Sequence, residues 1–328
     1  MIEDFSNIEL NGNTVVVTAP DKLPEKCVAA SIGMFDGVHC GHKWLIAGLR
    51  QLAARCGMKS AVITFRNHPQ NILHPDSDLK MLMPLEARLE KLASTGIDFI
   101  ILMDFTTELS KLDSTEYIRL VSQHYGVGAL LMGFNHHFGH NRSERYDDYV
   151  RNGAMLGVEI ERADEYHGEA APVSSSIIRK LIDAGDVEAA ALKLGSPFRL
   201  SGNVVHGFAR GREIGFPTAN IDVGNKVIVP RRGVYAVAVN YCGISYGGMV
   251  NIGIRPTFAD GEKLSIEVNL FDFNGDIYGK HIDMDFIARL RDERPMKSID
   301  DLKSQLEDDR NAAKTILAQR HKAGKTDN

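Results

Sequence analysis

The chain has 328 residues, 44% of them apolar, and 38 Lys and Arg against 43 Asp and Glu leave a formal net charge of −5. At roughly 100–200 residues per domain, this length suggests two domains, each able to bury its own core. The slightly acidic balance argues against a general nucleic-acid coat or a membrane-surface binder, while leaving room for a local basic pocket.

In chain order, the first half alternates strand and helix. Small and apolar residues from Cys27 to Ile32 read as a buried strand, followed by Lys59–Phe65, Ile97–Met103, Ala129–Gly133 and Val158–Arg162. Near-continuous apolar runs of this kind suit strands covered on both faces. Between them, Trp44, Leu45, Leu49, Leu52 and Ala53 fall on one face of a helix ending at Gly57. Leu85, Leu89 and Leu92 mark a second helix, and Ser114, Tyr117, Ile118 and Val121 a third. The alternation implies a Rossmann-like, doubly wound parallel sheet, whose ligand crevice lies beyond the carboxyl ends of the strands.

After Val173 the pattern changes. Ser174 to Ile182 reads as a serine-capped helix, and Val187–Leu194 as a short alanine-rich one. From Phe198 the chain is β-rich, with strands expected at Leu200–His206, Gly233–Asn240, Ile244–Ile252, Leu264–Leu270 and His281–Leu290. Short strands at this spacing suggest a small antiparallel barrel or sandwich. A helix from Ile299 to about Gln319 closes it, and the polar tail from His321 is expected to be disordered. The expected division is a first domain over 1–185, a linker with a short helix over 186–197, and a second domain over 198–328.

Cys27, Cys40, Cys56 and Cys242 form no C-x-x-C pair, so no zinc site or dithiol is indicated, and Cys27 and Cys56 are expected to be buried. His136, His137 and His140 lie on a loop without companion carboxylates or cysteines, which is a poor zinc set. The N-terminus is acidic where a secretory leader is basic, and no apolar run reaches bilayer-spanning length. A soluble cytoplasmic protein is the expectation.

The most informative segment is Gly33-Met-Phe-Asp-Gly-Val-His-Cys-Gly-His42, between the first strand and its helix. A glycine-rich strand-to-helix turn presents backbone N–H groups and the positive helix end to a phosphate. Gly33, Gly37 and Gly41 permit sharp turning and close approach, and His39 and His42 add donors that can be charged near neutral pH. Further along, Ser175, Ser176 and Arg179 place two hydroxyls and a guanidinium one turn apart, although a plain serine N-cap explains the serines equally well. In the second half, Gly202-Asn-Val-Val-His-Gly207-Phe-Ala-Arg-Gly211-Arg-Glu-Ile-Gly215 reads as a loop wrapping a ligand, with Arg210 and Arg212 as phosphate partners. Thr218 and Asn220 supply the hard oxygen donors that Mg²⁺ prefers.

The pair His39-x-Gly-His42 and Ser175-Ser-x-x-Arg179 resembles the nucleotidylyltransferase superfamily. The longer Gly33–His42 string, with Thr64-Phe-x-x-His-Pro69 and Gly133-x-Asn-x-x-Phe-Gly139, is similar to the FAD synthetase module of bacterial bifunctional riboflavin kinase/FAD synthetases. Phe216-Pro-Thr-Ala-Asn220 looks like the riboflavin kinase motif of the same family. That likeness continues through Asn251-Ile-Gly-x-Arg-Pro-Thr-Phe258 and Ile266-Glu-Val-x-Leu-x-Asp-Phe273 to Arg289-Leu-Arg-Asp-Glu-Arg294. The resemblance spans Cys27 to about Ala318.

That resemblance implies riboflavin phosphorylation to FMN at the barrel and adenylylation of FMN to FAD at the α/β domain, each with ATP and Mg²⁺. It assigns the ATP phosphates to His39 and His42 within a pocket that includes Gly33, Phe35, Asp36, Gly37 and Gly41. Asn135 orients the nucleotide, while Ser175, Ser176 and Arg179 hold the pyrophosphate side. In the kinase it assigns ATP to Gly207, Gly211, Arg212 and Gly215, and Mg-ATP to Thr218 and Asn220. Glu267 becomes the general base, and His68, Pro69 and Arg291 contact flavin. The family often has Asp at Asn135, Thr at Ser176 and His at Asn269. The implied partners are small-molecule substrates, with no nucleic acid or membrane, and with a homo-oligomer left open.

Overall fold

The computed structural model describes residues 8–134, 138–140, 144–206, 214–257 and 261–326, and the chain divides into two compact units at Val173/Ser174. The first unit holds strands β1 (Glu9–Leu10), β2 (Thr14–Val17), β3 (Val28–Ile32), β4 (Lys59–Phe65), β5 (Phe99–Met103), β6 (Val127–Met132) and β7 (Glu159–Arg162). They form one seven-stranded sheet in the order β1-β2-β5-β4-β3-β6-β7, parallel except for the β1–β2 hairpin. All five expected strands are present. The hairpin was not anticipated, because β1 has two residues and β2 four, too short for a period to emerge.

Helices α1 (Cys40–Cys56), α2 (Pro69–Leu73), α3 (Leu85–Ala93), α4 (Thr107–Lys111), α5 (Ser114–Tyr125) and α6 (Tyr146–Leu156) complete this unit. β3 alternates between two cores, as a strand buried on both sides must. Val28, Ala30 and Ile32 meet Ile118 and Val121 of α5 and Tyr149 of α6, while Ala29 meets Leu49 and Leu52 of α1 and Leu89 and Leu92 of α3. One assignment needs correction. Trp44 is 48% exposed and outside the buried stripe, which runs through Ile46, Leu49, Leu52 and Ala53. Its indole N–H reaches the Asp164 carbonyl instead, at 3.2 Å. Cys27 and Cys56 are half-buried rather than buried, because both stand at element ends near the rim of the sheet.

The second unit holds α7 (Ser175–Ala184), α8 (Val187–Leu194), β8 (Phe198–Val205), β9 (Ala219–Asp222), β10 (Gly233–Tyr241), β11 (Ile244–Thr257), β12 (Gly261–Leu270), β13 (His281–Arg291) and α9 (Ile299–Thr326). Its strands close into an antiparallel barrel in the order β10-β11-β12-β9-β8-β13. β8 and β13 alternate inward and outward, which fixes their register. β9, absent from the sequence reading, is four residues long and is held by β8 and β12. α9 lays Ala313 and Leu317 over Phe216, Ala236, Met249 and Phe271. It continues to Thr326, where a disordered tail was expected from His321. α7 belongs to this unit because the Arg231 N–H donates to the Ile182 carbonyl at 3.1 Å and the Arg289 N–H to Glu188 of α8 at 3.4 Å. The units therefore part upstream of the expected boundary at 185.

Gly57 and Gly126 both end helices at φ +65, the left-handed conformation glycine tolerates. Their surroundings differ. A Cβ on Gly57 would meet nothing within 4 Å, whereas one on Gly126 would lie 2.2 Å from the Pro24 carbonyl oxygen. Gly57→Ala should therefore cost only the backbone term of roughly 1–2 kcal/mol. Gly126→Ala should cost more than that, because backbone must move. Urea unfolding of the two variants side by side checks the order.

Candidate active sites

The strand order reverses between β3 and β6, and the Gly33–His42 loop leaves β3 at that switch point. The Gly33 N–H donates to the Ile63 carbonyl at 3.0 Å, the Thr64 hydroxyl to the Met34 carbonyl at 3.1 Å, and the Val38 N–H to the Phe35 carbonyl at 3.0 Å. Phe35, Gly37 and Val38 take φ of +51, +83 and +42. Two non-glycine residues in that region mark a strained turn held by its surroundings. Both are fully buried: Phe35 and Val38 anchor in the apolar core beside α1 and α3. Gly41 is needed for space, since a Cβ would lie 3.0 Å from the Val173 side chain and 3.3 Å from the His39 ring.

His39 is the N-cap of α1, its Nδ1 accepting from the His42 N–H at 3.2 Å. A backbone N–H can only donate, so Nδ1 is unprotonated and the neutral ring carries its proton on Nε2. The two imidazoles stack with centroids 3.5 Å apart, and the Phe35 ring lies 5.1 Å from that of His42. Burial, with Lys91 and Lys43 nearby, lowers the His39 pKa from 6.5 to about 4. The expectation of a charge on His39 near neutral pH is thereby corrected: the ring is a neutral donor.

Asp36 is turned inward. Both of its carboxylate oxygens accept from the Leu82 N–H at 3.0 Å, and the residue is 1% exposed. Beside it the buried Arg88 guanidinium, its pKa lowered by burial to about 10 with Asp36 opposing the shift, donates to the Phe65 carbonyl. The Lys91 ammonium donates to the Gly37 carbonyl at 3.2 Å. α3 thus grips the loop through Arg88 and Lys91, neither of which sequence reading singled out. The signal was present only as two cations on a helix whose apolar stripe was already assigned.

His68 caps α2 through Nδ1, accepting from the Gln70 N–H at 3.1 Å, with Pro69 as the first helical residue. Beyond the ends of β6 and β7, a cavity of about 270 Å³ is lined by Gly133, Phe134, Tyr146 and Arg162 among others. The Arg162 guanidinium lies 4.4 Å from the Phe134 ring centroid and donates from Nε to the Phe134 carbonyl at 2.9 Å. Asn135 follows directly but lies outside the described residues, as do Gly207, Gly211 and Arg212.

In the second unit Ser174 alone caps α7, accepting from the Ile177 N–H at 3.2 Å. Ser175, Ser176 and Arg179 follow within the first helical turns, with Ser176 exposed and the other two half-buried.

The barrel assembles the remaining residues. Asn220 of β9 pairs with Glu267 of β12, Glu267 with Asn251 of β11, Asn251 with Val234 of β10, and Val234 with Arg291 of β13. Directly opposed residues on neighbouring strands share a face, so Asn220, Glu267, Asn251 and Arg291 stand in one cross-strand row. Ile266 and Val268 occupy the opposite face and are buried. The Thr218 hydroxyl donates to Glu267 Oε2 at 3.3 Å, and the Ser265 hydroxyl to Oε1 at 3.3 Å. Asn269 donates from Nδ2 to the Pro217 carbonyl at 2.7 Å and so pins the segment that carries Thr218. Gly215 precedes it at φ +85, and Phe216 anchors in the core with the Arg310 guanidinium 4.2 Å from its ring centroid. Arg291 is engaged by α9, donating from Nε to Asp309 Oδ1 at 2.9 Å and from Nη2 to Oδ2 at 2.7 Å. Asn251 and Ser265 carried no assigned role from sequence. A lone polar residue between Val250 and Ile252 was the available clue to Asn251.

One unit thus collects amide and imidazole donors at a switch point, and the other sets a carboxylate between a hydroxyl and two amide side chains. Together they define a two-module enzyme class that works on phosphate. The FAD synthetase family model matches residues 21–177 and the riboflavin kinase family model residues 194–317. A Bacillus subtilis protein named bifunctional riboflavin kinase/FMN adenylyltransferase is 36% identical over 310 residues, covering 92% of this chain and 96% of its own. A protein of the same name from Escherichia coli K12 is 33% identical over 298 residues, covering 90% of this chain and 95% of its own. A crystal structure named as a macrolide-efflux protein from Streptococcus pneumoniae superposes with a TM-score of 0.83 at 30% identity, over 92% of this chain and 98% of that one. The chain belongs to the bifunctional riboflavin kinase/FMN adenylyltransferase family. Among the described residues, no helix is long and apolar enough to cross a membrane.

The depressed His39 pKa has a consequence for stability. Above pH 6.5 the ring is neutral in both folded and unfolded chains. Between pH 6.5 and about 4 the unfolded chain takes up a proton that the native ring refuses, so stability is lost as pH falls through that window. His39→Asn keeps an N-cap side chain but does not titrate. Relative to this variant, the wild-type protein should lose roughly 2 kcal/mol between pH 7.5 and pH 5. Urea midpoints at the two pH values check it; an unchanged difference would mean that the native ring is protonated normally.

Proposed function

We propose that the loop at the switch point carries the transfer of AMP to FMN, and that the Thr218–Glu267–Asn220 cluster carries the phosphorylation of riboflavin. The chain's activities are those of its family: ATP and riboflavin give FMN, and FMN with ATP gives FAD and pyrophosphate. In adenylyl transfer the nucleophile is an FMN phosphate oxygen, already anionic, so no general base is required. The work is alignment and charge stabilisation at the α-phosphorus and on the departing pyrophosphate. The free backbone N–H groups at the start of α1, together with His39 Nε2–H, are fixed donors for that charge. Asp36, Arg88 and the Thr64 hydroxyl hold the loop in shape without facing the reaction. The role of Arg179 on the pyrophosphate side, with Ser175 and Ser176, rests on the motif resemblance. On that basis the adenylyl-transfer segment is inferred to run to residue 185, past the point where the compact units divide.

In the kinase, Glu267 accepts the proton of the ribityl 5′-hydroxyl as that oxygen attacks the γ-phosphorus of ATP. Its carboxylate is half-buried on the polar face of β12, and the Thr218 hydroxyl holds one of its oxygens. The donor set also fits Mg²⁺, which takes hard oxygen ligands, binds through one or two protein groups, and keeps water and phosphate for the rest. The Thr218 hydroxyl and the Asn220 side-chain carbonyl would hold it. When bound, the ion neutralises developing charge on the ATP phosphates. Asn269 fixes Pro217 and so the approach of Thr218 to Glu267.

The observation that carries this division is the register that sets Asn220 directly beside Glu267, with Thr218 at hydrogen-bond distance. Glu267→Gln should lower FMN formation by about 10²–10⁴-fold, the usual worth of a general base, and leave FAD formation from supplied FMN intact. His42→Ala should do the reverse, with FMN accumulating. Chromatography of products from riboflavin and Mg-ATP separates the two. Loss of both activities in a folded single variant would end the division of labour.

A further inference from the structure

We propose that Lys91 is a phosphate-binding cation of the adenylyl-transfer site, acting beside His39 at the β4 flank of the loop. This rests on the reading of that loop as the adenylyl-transfer site. Lys91 stands in the last turn of α3, on the same side of the sheet as α1. Its ammonium reaches Gly37, two residues before the N-cap of α1, where its acceptor is a neutral carbonyl oxygen at 3.2 Å. Lys91 and Lys43 are the two charges that bear on the His39 ring. α1 runs for 17 residues and has no acidic residue in its first turn, so its positive end is not offset from within the helix. The nearest loop carboxylate, Asp36, is committed to the Leu82 N–H.

Two ammonium groups, a helix N-terminus and a neutral imidazole donor therefore converge on one turn. Each repels the others, and a phosphate placed among them relieves that repulsion. The Gly37 carbonyl gives Lys91 a fixed starting position from which a small rotation brings its Nζ to an anionic oxygen. Lys91 approaches from the side where β4 delivers Phe65, His68 and Pro69, opposite β6 and β7. Two sources could supply the anion: the 5′-phosphate of FMN, or the polyphosphate of ATP. The shared chemistry is a phosphate oxygen at the reacting centre.

The test compares Lys91→Met and Lys91→Arg in the full-length protein. Calorimetry with FMN alone and with pyrophosphate alone reads the two sources, and steady-state FAD formation gives KM and kcat. Lys91→Met should weaken one of the two ligands by about ten-fold or more, which identifies the source, and Lys91→Arg should retain most of that binding. The weakening should shrink as salt is raised. In Lys91→Met the His39 pKa, followed by NMR, should rise from its depressed value, since a nearby positive charge has been removed. Both ligands bound within two-fold of wild type would overturn the proposal, as would a loss in Lys91→Met explained wholly by a lower thermal midpoint. Wild-type protein that forms FMN but never FAD would instead overturn the adenylyl-transfer reading on which the proposal stands.

Discussion

The bond from the His42 amide to the His39 ring sets the character of the first site. An N-cap is ordinarily a small oxygen-bearing side chain, whose only duty is to satisfy an orphan donor. Here the cap is an imidazole, and capping consumes Nδ1. The proton is forced to Nε2, the ring is immobilised against that of His42, and burial keeps it neutral. A side chain that could switch charge near physiological pH is converted into a fixed dipole. Such a donor stabilises charge that develops during reaction without reorganising, which is the useful property in a transfer between two phosphates. The strained turn before it is tolerable because Phe35 and Val38 are clamped in the core.

The second site reaches the same end by another route. Its acid–base group lies on a strand, where side-chain direction is set by the pleat and by cross-strand register. Glu267 can stand between Asn220 and Asn251 only if β9, β12 and β11 keep their alignment, and the closed barrel enforces it. Arg291, at the far end of the same row, is bound by Asp309 of α9. The closing helix is therefore coupled by a buried ion pair to the strand that ends the row, which gives Arg291 a supporting duty beside any contact with flavin.

Sequence patterns revealed the alternation of the first unit because β3, β4, β5 and β6 are long apolar runs, a signal that depends only on composition. They did not reveal β9, four residues whose strand state exists only through pairing with β8 and β12. Trp44 fell outside its stripe because apolar spacing cannot distinguish a core residue from an aromatic whose N–H is claimed by a neighbouring loop. The Gly33–His42 turn was legible as a phosphate loop, since glycine and histidine at a strand-to-helix junction have few other uses. The neutrality of His39 was not, because a pKa belongs to the packed environment. Asp36 makes the same point: an acidic residue within a ligand-binding motif reads as a ligand contact, yet its carboxylate faces the Leu82 amide.

These cases share a cause. Motifs report which groups the chemistry needs, while the fold decides which members of a motif meet the substrate and which hold the others still. In the first loop, Asp36 and Gly41 hold or make room, and His39 presents. In the barrel, Asn269 and Ser265 hold, and Glu267 with Thr218 presents. A substitution in the holding set should act on the geometry of the presenting set, so its effect should track how closely the new side chain restores the lost bond. Asn269 already follows this rule. With Asn where the family often has His, a side-chain N–H still reaches the Pro217 carbonyl, so the contact that positions Thr218 survives the exchange.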